Sequence, residues 1–147
     1  MSGSCDQRKV VIMKIININI KRMIGENVKG RAIISKETIC FRSEYNPITG
    51  IVGNTHSLRG KTLKEKILII PSTKGSSGNT MYIRLMVMEG NAPIALICLN
   101  IDPLVALGCI VNKIPLILID KKEIFEIVKE NDYIEINGEK RILSIQK

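Results

Sequence analysis

The sequence predicts an α/β domain layered β/β/α, with a parallel sheet at its core, helices over one face and an added layer of strands over the other. Three observations predict it. Short apolar runs (Ile67-Leu68-Ile69-Ile70, Ile94 to Leu99, Pro115 to Ile119) alternate with helical patterns in the second half, and that alternation implies parallel strands with helical cover. The first half carries strand and loop patterns without a clear helix. The chain closes on Tyr133-Ile134-Glu135-Ile136, Asn137-Gly138 and Arg141-Ile142-Leu143, a hairpin by its alternation and its turn dipeptide. The first half and the hairpin supply the extra strand layer.

The elements follow in order. Residues 1–9 are polar and read as a flexible N-terminus, with 10–147 as a single domain long enough to bury a core. Val10 to Ile20 reads as a strand, because Ile16, Ile18 and Ile20 alternate with Asn17 and Asn19. Lys29 to Ser35 is a second strand, Ile39-Cys40-Phe41 a short third run, and Asn46-Pro47-Ile48-Thr49-Gly50 a turn before Ile51-Val52. Strand 66–70 stops at Pro71. A helix runs from about Ser77 to Glu89, with Tyr82, Leu85 and Met86 on one side, and ends at Gly90-Asn91. Asp102-Pro103 opens another helix, aspartate at the N-cap and proline at N1, with Leu104, Leu107 and Val111 as its apolar face. Lys121 to Glu130 reads as an amphipathic helix carrying Ile124, Phe125 and Val128.

Composition removes several functions. Apolar residues make up 45% of the chain, which excludes a disordered protein. The formal charge is +8, but the lysines are scattered and aromatics are only 3%, poor material for stacking single-stranded bases. The charge reads as a solvated surface; an anionic small substrate or an acidic partner subunit are the alternatives. No segment reaches transmembrane length and no signal peptide opens the chain, so a reduced, cytoplasmic protein is expected, with no membrane and no nucleic acid. Cys5, Cys40, Cys98 and Cys109 form no CxxC pair and only His56 could join them, so no metal site is expected on this chain.

Chemistry concentrates in Pro71-Ser72-Thr73-Lys74-Gly75-Ser76-Ser77-Gly78. A strand, a loop of small residues and a helix start point backbone N–H groups at an anion. Ser76 and Ser77 add hydroxyls and Lys74 adds charge. The loop lacks the spacing of a Walker loop or a GxGxxG turn. The residues alone leave two readings open: serines and glycines that merely cap a helix, or an anion-binding and proton-transfer site. A single domain with so few titratable groups is incomplete as an enzyme, which suggests a partner.

Four segments occur together in order: Gly30-Arg31-Ala32 onward, the turn Asn46 to Gly50, the Pro71 to Ser77 loop, and Asp102-Pro103 to Pro115. Over roughly residues 29–120 the chain resembles the small subunits of the aconitase X family, and its loop is similar to the Gly-x-Gly-Ser-Ser segment on the swivelling domain of ordinary aconitases. The resemblance implies a swivelling β/β/α domain that closes over a large subunit carrying an iron–sulfur cluster (4Fe-4S). It implies a hydro-lyase that dehydrates (R)-5-phosphomevalonate to trans-anhydromevalonate 5-phosphate, in a modified mevalonate pathway toward isoprenoids. It implies Ser76 as the base that takes the substrate proton, with Lys74, Gly75 and Ser77 binding the carboxylate or phosphate. The cysteines lack cluster spacing, so the cluster is expected on the partner and no cofactor on this chain. Against the family pattern, Thr73 replaces a glycine, Gly78-Asn79-Thr80 shifts the end of the loop, and Arg42-Ser43-Glu44 stands where a Trp-Gly-Glu-like triplet is common. Arg42, Glu44, Asn46 and His56 are expected to be surface or loop-fixing residues.

Two further functions compete: a non-catalytic anion-binding or regulatory module, and a dehydratase subunit for another hydroxy acid.

Overall fold

The β-branched runs fold as the patterning predicts. A computed structural model describes residues 14–75 and 78–147; the expected loose N-terminus, Cys5 and the strand start at Val10 lie outside the described residues. The parallel core is β3 (Val28–Ile34), β6 (Ile67–Ile70), β7 (Ala95–Cys98) and β8 (Leu116–Leu118), paired side by side in that order. β6 and β7 are buried at every residue, as expected of strands covered on both faces. β2 (Arg22–Ile24) adds an antiparallel edge to β8; the cluster Lys21-Arg22 gave no sign of a strand.

The second layer is antiparallel: β1 (Ile15–Asn19) on β10 (Ile142–Gln146), β10 on β9 (Tyr133–Asn137), and β9 on the first half of β3. Its inward residues Ile18, Ile134, Ile136, Leu143 and Ile145 pack with Ile67, Ile69, Ala95 and Ile97 from one face of the parallel sheet. Leu68, Ile70, Leu96 and Cys98 on the other face meet Ile83 and Met86 of α2 (Asn79–Met88) and Val105 and Cys109 of α3 (Pro103–Val111). The described residues therefore have the expected β/β/α layering, in one continuous eight-stranded sheet. α3 crosses closely over α2: a Cβ on Gly108 would lie 2.7 Å from Ile83 Cδ1.

Local chemistry explains the turns. Asn46 Oδ1 accepts from the N–H groups of Ile48 (2.9 Å) and Thr49 (3.1 Å), and Gly50 sits at φ +69°, where a side chain would be strained. This closes the small ribbon of β4 (Tyr45–Asn46) and β5 (Ile51–Val52). Asp102 caps α3 by accepting from Leu104 N–H (3.0 Å) and Val105 N–H (3.2 Å). Gly90 and Asn91 end α2, their N–H groups donating back to Val87 O and Met86 O.

Four expectations change. The apolar face of α3 is reversed: Val105, Gly108 and Cys109 are buried, whereas Leu104, Leu107 and Val111 are 37%, 48% and 58% exposed. The helix is apolar nearly all round, so periodicity alone could not orient it. The helix expected at Lys121–Glu130 is only α4 (Ile124–Ile127). Val128 turns extended at its end, and Asn131 (φ +71°) donates its N–H to Ala32 O (2.8 Å), drawing the chain toward β9. The closing hairpin turns through Gly138–Arg141 rather than a two-residue Asn-Gly loop, because Asn137 still pairs with Ile142 and its Oδ1 accepts from Lys140 N–H. Finally, the first half does contain a helical turn, α1 (Phe41–Glu44), where Phe41 is buried and Glu44 Oε1 accepts the Cys40 N–H (2.8 Å).

Burial holds the Cys109 thiol up to about 12 and raises the Cys98 thiol as well. Both are therefore protonated and poor nucleophiles at neutral pH. Native alkylation at pH 8 followed by peptide mapping should leave Cys98 and Cys109 unmodified, and denaturant should make both react; fast labelling of either in the native protein would contradict this packing.

Candidate active site

Three loops meet at the carboxyl ends of the parallel strands, the position where open α/β sheets hold ligands. They follow β3, β6 and β7. Ile39 bridges Thr73 in parallel, and Lys74 N–H donates to Ile39 O (2.9 Å). Leu99 N–H and Asn100 N–H both donate to Pro71 O, at 3.0 and 3.1 Å. Thr73 is buried, and its Oγ1 accepts the Asp102 N–H (3.2 Å). A glycine at that position could not make this bond, so the departure at Thr73 ties the loop to the start of α3.

Of the expected site residues, Lys74 and Gly75 are described; Ser76 and Ser77 lie outside the described residues. The Lys74 side chain is about half exposed, and its Nζ stands 3.8 Å from Glu44 Oε1. Gly75 is exposed and close to the α3 cap: a Cβ there would lie 3.0 Å from Asp102 Oδ1. Beyond the serines, Gly78 is the N-cap of α2 and brings no side-chain cap.

The surrounding residues divide. His56 is buried and structural. Its Nδ1 accepts from Leu58 N–H (3.0 Å), which leaves the proton on Nε2 to donate to Thr38 O (3.1 Å). Asn46 is taken up by its turn, and Glu44 by the Cys40 N–H with Lys74 nearby. Two further residues meet the loop: Arg42, which sequence reasoning did not place there, and Asn79, which it placed at the loop's end without a role. Arg42 lies across Gly78, its Cδ 2.8 Å and its Nε 3.2 Å from where a Gly78 Cβ would stand. Asn79 is fully buried and ties the two ends of the loop, its Nδ2 donating to Lys74 O (2.8 Å). Among the described residues its buried Oδ1 has no hydrogen-bond partner. No spacing rule joins residue 42 to residue 78; only the placement of α1 against α2 does so.

Among the described residues no group of three His, Cys, Asp or Glu could hold a metal ion, and the buried, protonated Cys98 and Cys109 are unsuited to ligating one. The residues described here do not fit an iron–sulfur cluster. No described helix is long and apolar enough to cross a membrane.

Fold and site together define a class: a three-layer β/β/α domain that presents a small-residue loop at its sheet end. Residues 17–145 match the aconitase X swivel domain family, and the chain belongs to that family. It is 36% identical over 139 residues to the phosphomevalonate dehydratase small subunit of Methanosarcina acetivorans, covering 94% of each chain. It is 35% identical over 120 residues to that of Methanosarcina mazei, covering 81% of this chain and 83% of the other. Among solved structures, the crystal structure of Thermococcus kodakaraensis aconitase X in its holo form shares the fold, with a TM-score of 0.80 and 24% identity over 90% of this chain and 99% of that one. The solution structure of a UPF0107 protein aligns with a TM-score of 0.78 at 26% identity, over 87% of this chain and 97% of that one.

The Asp102 cap anchors α3 beside the loop. Asp102→Ala should cost about 1 kcal/mol in urea unfolding, and Asp102→Asn, which keeps an accepting oxygen, much less; equal losses from both would mean that charge rather than capping stabilises this corner.

Proposed function

We propose that this chain is the small subunit of a phosphomevalonate dehydratase. With a large subunit, in the cytoplasm, it removes water from (R)-5-phosphomevalonate to give trans-anhydromevalonate 5-phosphate in a modified mevalonate pathway. The observation that carries the reading is near end-to-end kinship with chains so named, 36% identical over 94% of both. The loop at the sheet end supports it, because a stitched backbone opening into α2 is the kind of frame an anionic substrate needs.

In this reading Ser76 takes the substrate proton, and Lys74, Gly75 and Ser77 bind its carboxylate or phosphate. Lys74 supplies charge, and Gly75 lets the backbone approach the ligand. The iron–sulfur cluster (4Fe-4S) belongs to the partner, since the described residues here do not suit one, and it supplies Lewis-acid chemistry at the leaving hydroxyl when bound. This chain's own part is to bind and orient the substrate and to accept a proton.

The exposed apolar side of α3 supports the need for a partner. Leu104, Leu107, Ile110 and Val111 present a stripe that a lone soluble chain would bury, and we assign it to contact with the large subunit.

Two experiments test the reading. Ser76→Ala in the co-expressed pair, assayed anaerobically, should lower dehydration by about a hundredfold or more while the subunits still assemble; retained turnover would remove Ser76 as the base, and a change in affinity alone would favour a non-catalytic anion-binding module. Leu107→Lys should weaken co-purification of the subunits without lowering the stability of the small one. Undiminished assembly would move the contact elsewhere.

A further inference from the structure

We propose that Arg42 binds the anionic end of the substrate and helps set its specificity. The inference rests on the dehydratase reading for its substrate, but its observations are separate. α1 is held from inside by buried Phe41 and by the bond from Cys40 N–H to Glu44 Oε1. Arg42, exposed on that fixed turn, carries its side chain across the N-cap of α2. Cδ, Nε and Cζ lie 2.8, 3.2 and 3.6 Å from the place a Gly78 Cβ would take, so the absence of a side chain at Gly78 makes room for the guanidinium there.

Charge accounting singles Arg42 out. Lys74 stands 3.8 Å from the nearly buried Glu44 carboxylate, which offsets part of its charge. Among the described residues Arg42 makes no ion pair or hydrogen bond. It is the uncompensated cation beside the loop, at the positive end of a ten-residue helix. Arg42 also forms one wall of an open cleft of about 430 Å³ that continues past Asn46 and Tyr82, room for the distal part of a small phosphorylated acid. A planar fork of N–H donors suits phosphate or carboxylate oxygens, and lysine would supply the charge without the fork.

The test compares wild type, Arg42→Gln and Arg42→Lys in the assembled pair. Losing one charge-assisted contact should raise KM for 5-phosphomevalonate about tenfold to a hundredfold in Arg42→Gln, with kcat within about threefold and Arg42→Lys between the two. A parallel rise in the inhibition constant of inorganic phosphate assigns the contact to the phosphate end; a raised KM with unchanged phosphate inhibition assigns it to the carboxylate. An unchanged KM beside an active wild type overturns the inference and leaves the dehydratase reading standing. If the wild-type pair fails to dehydrate 5-phosphomevalonate, that reading falls instead, and the full small subunit decides the inference by itself. Inorganic phosphate should then produce a saturable NMR shift of the Arg42 Nε–H and the Gly78 amide that Arg42→Gln abolishes, and no such shift in the wild type overturns it.

Discussion

The structure depends on one strand that pairs in two senses. Val28 to Arg31 of β3 run antiparallel to β9, and Ala32 to Ile34 run parallel to β6. A strand has two edges, and β3 gives each half of its length to a different partner. That joins the antiparallel layer to the parallel one without a break in the backbone ladder and leaves buried backbone groups paired. Because the sheet folds over at this strand, Ala32, Ile67 and Ile69 pack with Ile134 and Ile136 in one apolar interior. Each of these isoleucines contributes about 2 to 3 kcal/mol by burial, so the two layers hold each other and neither β9 nor β6 is free to slip.

This arrangement fixes where chemistry can occur. The parallel half sends β3, β6 and β7 out at one end, and their following loops bond to one another. Thr73 is the centre of that stitching, bridged to Ile39 on one side and bonded to the Asp102 N–H on the other. The loop that carries Ser76 leaves from a frame set by three strands, and preorganisation of this kind is what lets backbone donors act on an anion without first being ordered. α1 belongs to the same frame: buried Phe41 anchors it, and this anchoring carries Arg42 to Gly78.

What was legible in the sequence follows from how local each cause is. The strands β6 and β7 were legible because burial on both faces leaves an unbroken apolar run. The Asp102 cap and the Asn46 turn were legible because one side chain bonds the backbone two or three residues on. The reversed face of α3 was not, since a helix with Leu, Val, Ala, Cys and Ile on every side has no polar face to point outward. The expected helix at Lys121–Glu130 failed for a tertiary reason: Asn131 is held by Ala32, far away in sequence, and the chain must extend to reach it. For the candidate site, the loop and its residue types could be read from the sequence, and family resemblance supplied the roles. The neighbour Arg42 could not be read, because its contact with Gly78 arises only once α1 is packed against α2.

The energetics of the proposed base bear on why the proposed site needs a second subunit. A serine hydroxyl gives up its proton only where the alkoxide is strongly favoured. The helix start and a half-exposed lysine offer about 1 kcal/mol each while water surrounds them. Lys74 is further offset by Glu44. The same groups gain several-fold in strength when a second surface excludes water and lowers the local dielectric. Among the described residues, exposed Lys74 and Gly75, beside a helix that leaves Leu107 and Val111 in solvent, lack that second surface. On the proposed reading this domain is one wall of a shared cavity, and exclusion of water by the large subunit is what would bring the proposed base Ser76 to working strength.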